Sequence, residues 1–217
     1  MKRYGWLLGC CLFLSIGMLW AADEPDLRML QQKAAQSRDM EGYVGVCKYL
    51  YQTEENPELL LLYADSIHQL ATKSKKPEQL VEYYIWASEG NFIKGDFQQG
   101  YALKRKAIAL AEKAGLKFAI SQSCCDMGYY CNVDARYDSA RYYFRKGLEA
   151  GEDLSEAGEA CRTMLTNYAS SFLFEGKTDS ALVYTIRASE RSAADKDTAM
   201  LIENLNQLGT IYRRKKN

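Results

Sequence analysis

Glu175-Gly176-Lys177-Thr178 carries the ending of a phosphate-binding loop, in which backbone N–H groups cradle phosphates and a lysine reaches them. That chemistry also needs a glycine five positions before Gly176, where Ser171 stands, and a strand ahead of the loop, where the pattern is helical. A glycine turn between two helices is the better reading. His68 is the single histidine, so no second imidazole exists for a metal site or a proton relay. Cys47, Cys124, Cys125, Cys131 and Cys161 follow the amino-terminal segment, and none has the C-x-x-C spacing of zinc or redox sites. An odd number cannot all pair. In an oxidising compartment Cys161 with Cys124 or Cys125 offers one link between neighbouring helices, while small apolar packing explains Cys124 and Cys131 more cheaply. Glu149, Glu152, Asp153, Glu156 and Glu159 read as a solvated acidic rim. Arg213-Arg214-Lys215-Lys216 reads as a solvated run at a helix end, where cations suit the dipole, with anionic lipid or a partner as its other use.

Composition narrows the classes further. Basic and acidic side chains balance at 28 each, and 47% of the 217 residues are apolar. A disordered chain would be less apolar and a nucleic-acid binder more basic, so a folded protein with no nucleic-acid partner is expected. With no paired acids placed together and no metal-ligand spacing, the expectation is a non-enzymatic protein with no cofactor and no metal.

The elements begin after an address. Met1-Lys2-Arg3 precedes an apolar-leaning run from Tyr4 to Trp20, then Ala21-Ala22 and the acidic Asp23-Glu24-Pro25-Asp26. Residues 1–22 read as a secretory signal peptide cleaved after Ala21 or Ala22, which places the remainder in the periplasm or cell envelope. Two other readings stand beside it. The run is marginal for a bilayer span, giving an uncleaved amino-terminal anchor, and Leu7-Leu8-Gly9-Cys10 is similar to a lipobox, giving acylation at Cys10.

Residues 23–217 show a long internal period. Tyr137-Asp138-Ser139-Ala140 and Thr178-Asp179-Ser180-Ala181 share Asp-Ser-Ala at an offset of 41, and the small residues Gly128, Ala169 and Gly209 lie 41 and 40 apart. Stepping back 40 reaches Ser88, and again Lys48. The pattern predicts about five units, the last incomplete. Asn56-Pro57-Glu58 is a helix start, Asp153-Leu154-Ser155-Glu156 predicts a capping box, and no strand-length alternation of β-branched residues occurs.

Leu208-Gly209-x-x-Tyr212, with Tyr137, Ala140, Phe144 and Leu148 and again Gly176, Ala181 and Ala188, resembles the tetratricopeptide repeat. The departures are Cys124 in place of an early aromatic, the missing closing proline, and a spacing of 40 to 41. The family's repeat is about 34 residues, so each unit carries about two extra helical turns, to be absorbed by longer helices or longer connections. The resemblance implies an all-α solenoid of antiparallel helix pairs in a right-handed superhelix, with first helices lining a concave docking groove. Carried over, the groove residues are Glu89, Asp126, Tyr129, Asn132, Thr166, Asn167, Ser170, Asn206 and Gln207, with Glu82, Phe92 and Arg213 beside them. The function this implies is a scaffold holding a peptide or protein partner. The layout also looks like the extracytoplasmic sensor portion of a membrane-bound histidine kinase or transcriptional regulator, interrupted near Tyr212.

Overall fold

The computed structural model describes residues 26–54 and 56–216. The signal, anchor and Cys10 acylation readings fall on residues 1–25 and lie outside the described residues. Ten α-helices follow one another: α1 (Leu27–Ser37), α2 (Met40–Thr53), α3 (Pro57–Ser74), α4 (Pro77–Lys94), α5 (Phe97–Ala114), α6 (Lys117–Val133), α7 (Tyr137–Gly151), α8 (Gly158–Phe174), α9 (Thr178–Ala194) and α10 (Thr198–Lys216). Each packs on the next, so the chain is an all-helical solenoid of antiparallel pairs. Pairs α2/α3, α4/α5, α6/α7 and α8/α9 are complete, and α10 is a first helix. First helices also touch along the array, α2 on α4, α6 on α8 and α8 on α10, and no comparable packing joins one second helix to the next. The lateral contacts of the array therefore run mainly through its first helices. Among the described residues no helix is long and apolar enough to cross a membrane.

The extra length of each unit goes into the helices, which run 15 to 19 residues from α3 to α10. The turns between them are mostly two or three residues, and most close in one way. A left-handed residue stands one or two positions past the helix at Gly95, Gly115, Ala135, Gly176 and Lys196, spaced by 20 residues or about twice that. At Gly95 its N–H reaches the Phe92 carbonyl and the next N–H, from Asp96, reaches Asn91; the same double bond recurs at the other four. Asp39, Asn56, Asp96 and Asp197 then accept from backbone N–H groups at the next helix start, as expected at Asn56.

Two local expectations are corrected. The capping box at Asp153 does not form. Ser155–Ala157 is a short 3-10 turn, and α8 starts at Gly158 without a side-chain cap, because Leu154 and Ala157 are drawn into the core. In α2 it is Cys47, fully buried, that takes the inner position, and Lys48 is exposed.

The core runs between the helix layers in three overlapping stretches. Leu50, Leu60, Ile67, Val81 and Leu103 fill the first, and Phe92, Tyr101, Met127, Phe144 and Met164 the second. The third contains only Leu173, Ala181 and Ile211. Hydrogen bonds supplement this thin end: Thr166 Oγ1 donates to Asn204 Oδ1 at 2.9 Å, and Thr185 Oγ1 donates to Gln207 Oε1 at 2.9 Å.

A left-handed backbone suits glycine, and a side chain there costs about 1 kcal/mol. Ala135→Gly and Lys196→Gly are each expected to stabilise the fold by about 1 kcal/mol, and Gly95→Ala to destabilise it similarly. Thermal unfolding of the three variants measures this; equal midpoints would contradict the shared turn geometry.

Candidate functional site

Lys104, on α5, is fully buried. Its ammonium donates to Glu89 of α4 and, at 2.9 Å, to Asp126 Oδ2 of α6. Tyr130 of α6 donates its hydroxyl to the other Glu89 oxygen at 2.7 Å, while its ring stacks on Phe92 at 3.6 Å between centroids. Backbones of α4 and α6 thus meet through side chains: three charges, a phenol and an aromatic stack fill the wedge between them. Trp86 adds a bond from its indole N–H to Glu82 Oε2 at 2.9 Å.

The electrostatics follow from burial and pairing. Desolvation and the neighbouring Asp126 push the Glu89 carboxyl above its ordinary range, against the pull of Lys104. Two carboxylates more than offset desolvation at Lys104 and raise it. Burial also raises Glu82. Three acids therefore gather around one interior cation, and the first-helix face is acidic at this end. The ion cluster was not foreseen in the sequence, though Lys104 lies 40 positions before Phe144, in register with that core aromatic.

The nine expected groove residues separate into two groups. Glu89, Asn132, Thr166 and Ser170 are buried and join helices to one another. Asn132 Nδ2 donates to the Asn167 carbonyl at 3.0 Å, and Ser170 Oγ accepts from Gln207 Nε2 at 2.7 Å. Asp126, Tyr129, Asn167 and Gln207 are partly exposed, and Asn206 is exposed. Tyr129 sets its ring edge-on to Tyr130. Four of the nine are thus spent on holding helices together, and the other five keep exposed surface. Of the flanking three, Phe92 is core, Glu82 is held by Trp86, and Arg213 is exposed.

The other chemical motifs take structural places. Gly176 is the left-handed turn between α8 and α9, and Lys177 pairs with Glu175 at 3.0 Å. His68 is exposed on α3 and stacks on Tyr83. The basic run is part of α10: Arg214 donates to the Leu173 carbonyl and Lys215 pairs with Asp179. A cleft of about 380 Å³ beside Glu152 and Asp153 is also lined by Arg162, which is already paired with Asp195 at 3.0 Å and Asp197 at 2.8 Å. Among the described residues no three metal-ligating side chains converge. Cys47, Cys124, Cys125, Cys131 and Cys161 are all buried free thiols, so the link from Cys161 to Cys124 or Cys125 is absent. Burial pushes Cys47 and Cys124 up to about 12.

No family model and no curated protein matches the chain. Among solved structures it is similar to BtubC (BKLC) from P. vanneervenii, with a TM-score of 0.67 at 13% identity, covering 86% of this chain and 79% of that one. That likeness shares a helical-repeat fold.

Lys104→Met leaves Glu89 and Asp126 buried without their cation, at an expected cost of about 3 to 5 kcal/mol near pH 7. A carboxyl with a raised folded pKa binds its proton more tightly folded than unfolded, so stability falls as pH rises above the ordinary glutamate range. The variant's deficit should therefore shrink by about half near pH 5 in urea unfolding; an equal deficit at both pH values would refute the buried charge cluster. The five thiols should resist iodoacetamide in the native protein and react on unfolding, and fast native labelling would contradict their burial.

Proposed function

We propose that this protein is a non-enzymatic helical-repeat scaffold of tetratricopeptide type, exported through residues 1–22 to the periplasm or envelope, whose first-helix face docks an extended segment of a protein partner. The observation that carries the reading is the division of labour on that face. Buried Glu89, Asn132, Thr166 and Ser170 fix neighbouring helices in register, and Asp126, Tyr129, Asn167 and Asn206, also on first helices, keep exposed surface. A preorganised surface of this kind loses little entropy on binding.

Geometry sets the size of the guest. Four first helices, α4, α6, α8 and α10, at about 10 Å centres give a face about 30 Å long, which an extended peptide covers with about nine residues at 3.3 Å each. Charge sets its polarity. Glu82 and Asp126 gather at the α4–α6 end and Arg213 stands at the α10 end, so a guest with lysine or arginine over α4–α6 is favoured. Tyr129 lies between, where an aromatic edge can hold an aliphatic stem. No cofactor or metal takes part in this mode of binding.

Crosslinking pull-down from native extracts, read by mass spectrometry, tests the reading with Tyr129→Ala/Asn167→Ala. The double variant should unfold as the parent does and lose partner capture at least about tenfold. Undiminished capture by the folded double variant would sink the docking face.

A further inference from the structure

In α6 the stripe Cys124, Gly128 and Cys131 is buried under α7: a Cβ on Gly128 would collide with the Phe144 ring, and one on Gly147 would press on Cys124. In α8 the matching stripe runs through Ala169 to Phe172, and Phe172 stacks on Tyr184 of α9. The repeat places Leu205, Gly209 and Tyr212 of α10 in the same register, extended by Ile202 one turn earlier. There, among the described residues, nothing covers the stripe. Ile202 is 52% exposed, Leu205 53% and Tyr212 53%, and a Cβ on Gly209 would meet nothing within 4 Å. Asn204 and Ile211, both fully buried, mark the opposite side of α10 as the one facing its own chain.

The stripe complements itself. Laid antiparallel on α10 of a second copy with the two-fold axis at position 207, Leu205 falls on Gly209 of the second copy and Ile202 on its Tyr212. Both pairs then recur by symmetry, a branched side chain over a glycine and another against a ring. Along the flank, Glu203 lies two positions, about 3 Å of helical rise, from the level of Arg213 of the second copy, within reach of two long side chains, and Asn206 stands likewise to its Thr210. Antiparallel two-fold pairs bring like flanks together, so opposite charges on one flank satisfy each other twice. Glu203 has no ion-pair partner among the described residues, and the Arg213 guanidinium bonds only to Thr210.

We infer that α10 is a homodimer surface, pairing antiparallel with α10 of a second copy through Ile202, Leu205, Gly209 and Tyr212 and locked by Glu203 to Arg213. One helix pair is a small interface, and the dimer is a reversible one of micromolar affinity. It takes up Asn206 and Arg213 at the α10 end and leaves the faces of both copies around Asp126, Tyr129 and Asn167 open, so two docking surfaces, each shortened to α4, α6 and α8, ride on one dimer.

Sedimentation velocity on the full chain over a micromolar concentration series tests this. The parent should shift from monomer to dimer. Gly209→Gln should raise the melting temperature, since glycine weakens a helix interior and the monomer has room for the side chain, yet weaken dimerisation at least about tenfold. Glu203→Arg should weaken it and Glu203→Arg/Arg213→Glu restore it. A parent that stays monomeric throughout would overturn the inference. So would a dimer indifferent to Gly209→Gln, or a chain from native cells whose α10 crosslinks to a helix of another protein or to further residues of its own chain.

Discussion

The array depends on close approach of helix backbones at residues that have little or no side chain. Gly128 admits the Phe144 ring, Gly100 admits Phe92, Gly90 lies against Leu60 and Leu61, and Gly151 lies against Ser121. In each case a methyl group would have to displace a packed side chain, and interiors at crystal-like density have no slack to absorb it. Long helices make this constraint stricter. A 17-residue helix meets its neighbours over more than four turns, so one misplaced contact shifts all the others. Short left-handed turns then follow, because helices seated at a fixed depth need ends that meet within two or three residues.

The α4–α6 junction obeys the same spacing with different chemistry. Where Phe144 fills its unit with a ring, Lys104 fills the equivalent place with a charge, and Glu89, Asp126 and Tyr130 are arranged to receive it. An apolar side chain of similar volume would hold these helices as firmly, since desolvation offsets much of what buried ions gain by pairing. Charges differ from an apolar patch in tolerance. Three groups from three helices must meet at hydrogen-bond distance, and a slip of one residue would strand each of them in the interior. At the carboxy-terminal end, where the core thins to buried Leu173, Ala181 and Ile211 with half-buried Phe172 and Leu182 against them, Thr166, Asn204, Thr185, Gln207 and Ser170 perform that selection with neutral hydrogen bonds.

The small residues made the fold readable in the sequence. Gly128 and Ala169 are buried contact points and Gly209 repeats their register, so their spacing reported the repeat directly, and the helices α6 to α10 fell where the period put them. The reading slipped where contact chemistry changed. In α2 a buried cysteine replaces the glycine, one position from where a strict period of 40 points. Between α7 and α8, Leu154 and Ala157 gain more from burial than Asp153 would from capping, and local propensity lost to packing. The face was half legible. Its candidates were chosen by position along the first helices, but position does not say whether a polar side chain meets solvent or the next helix. Lys104 escaped notice for the same reason: a lysine in a core register reads as an exception until its two carboxylate partners, 15 and 22 positions away, are brought to it.

The α7–α8 connection shows how the array survives a break in its own rule. It is the longest connection, it lacks the left-handed turn that closes the others, and its position is where the half-period of 20 would have placed one. Regular turns cannot transmit register across it, so other contacts must. Asn132 reaches the Asn167 carbonyl from α6 to α8, Met164 packs against Gly147, and Arg141 on α7 pairs with Glu175 at 2.8 Å while lying over the Phe172 ring. These contacts run from first helix to first helix and from second helix to the following first helix, bypassing the connection altogether. The first-helix face is therefore continuous across a turn that is not. Its rigidity comes from lateral bonds between helices, and the polar residues that supply those bonds are the ones an inner face would otherwise have offered to a guest.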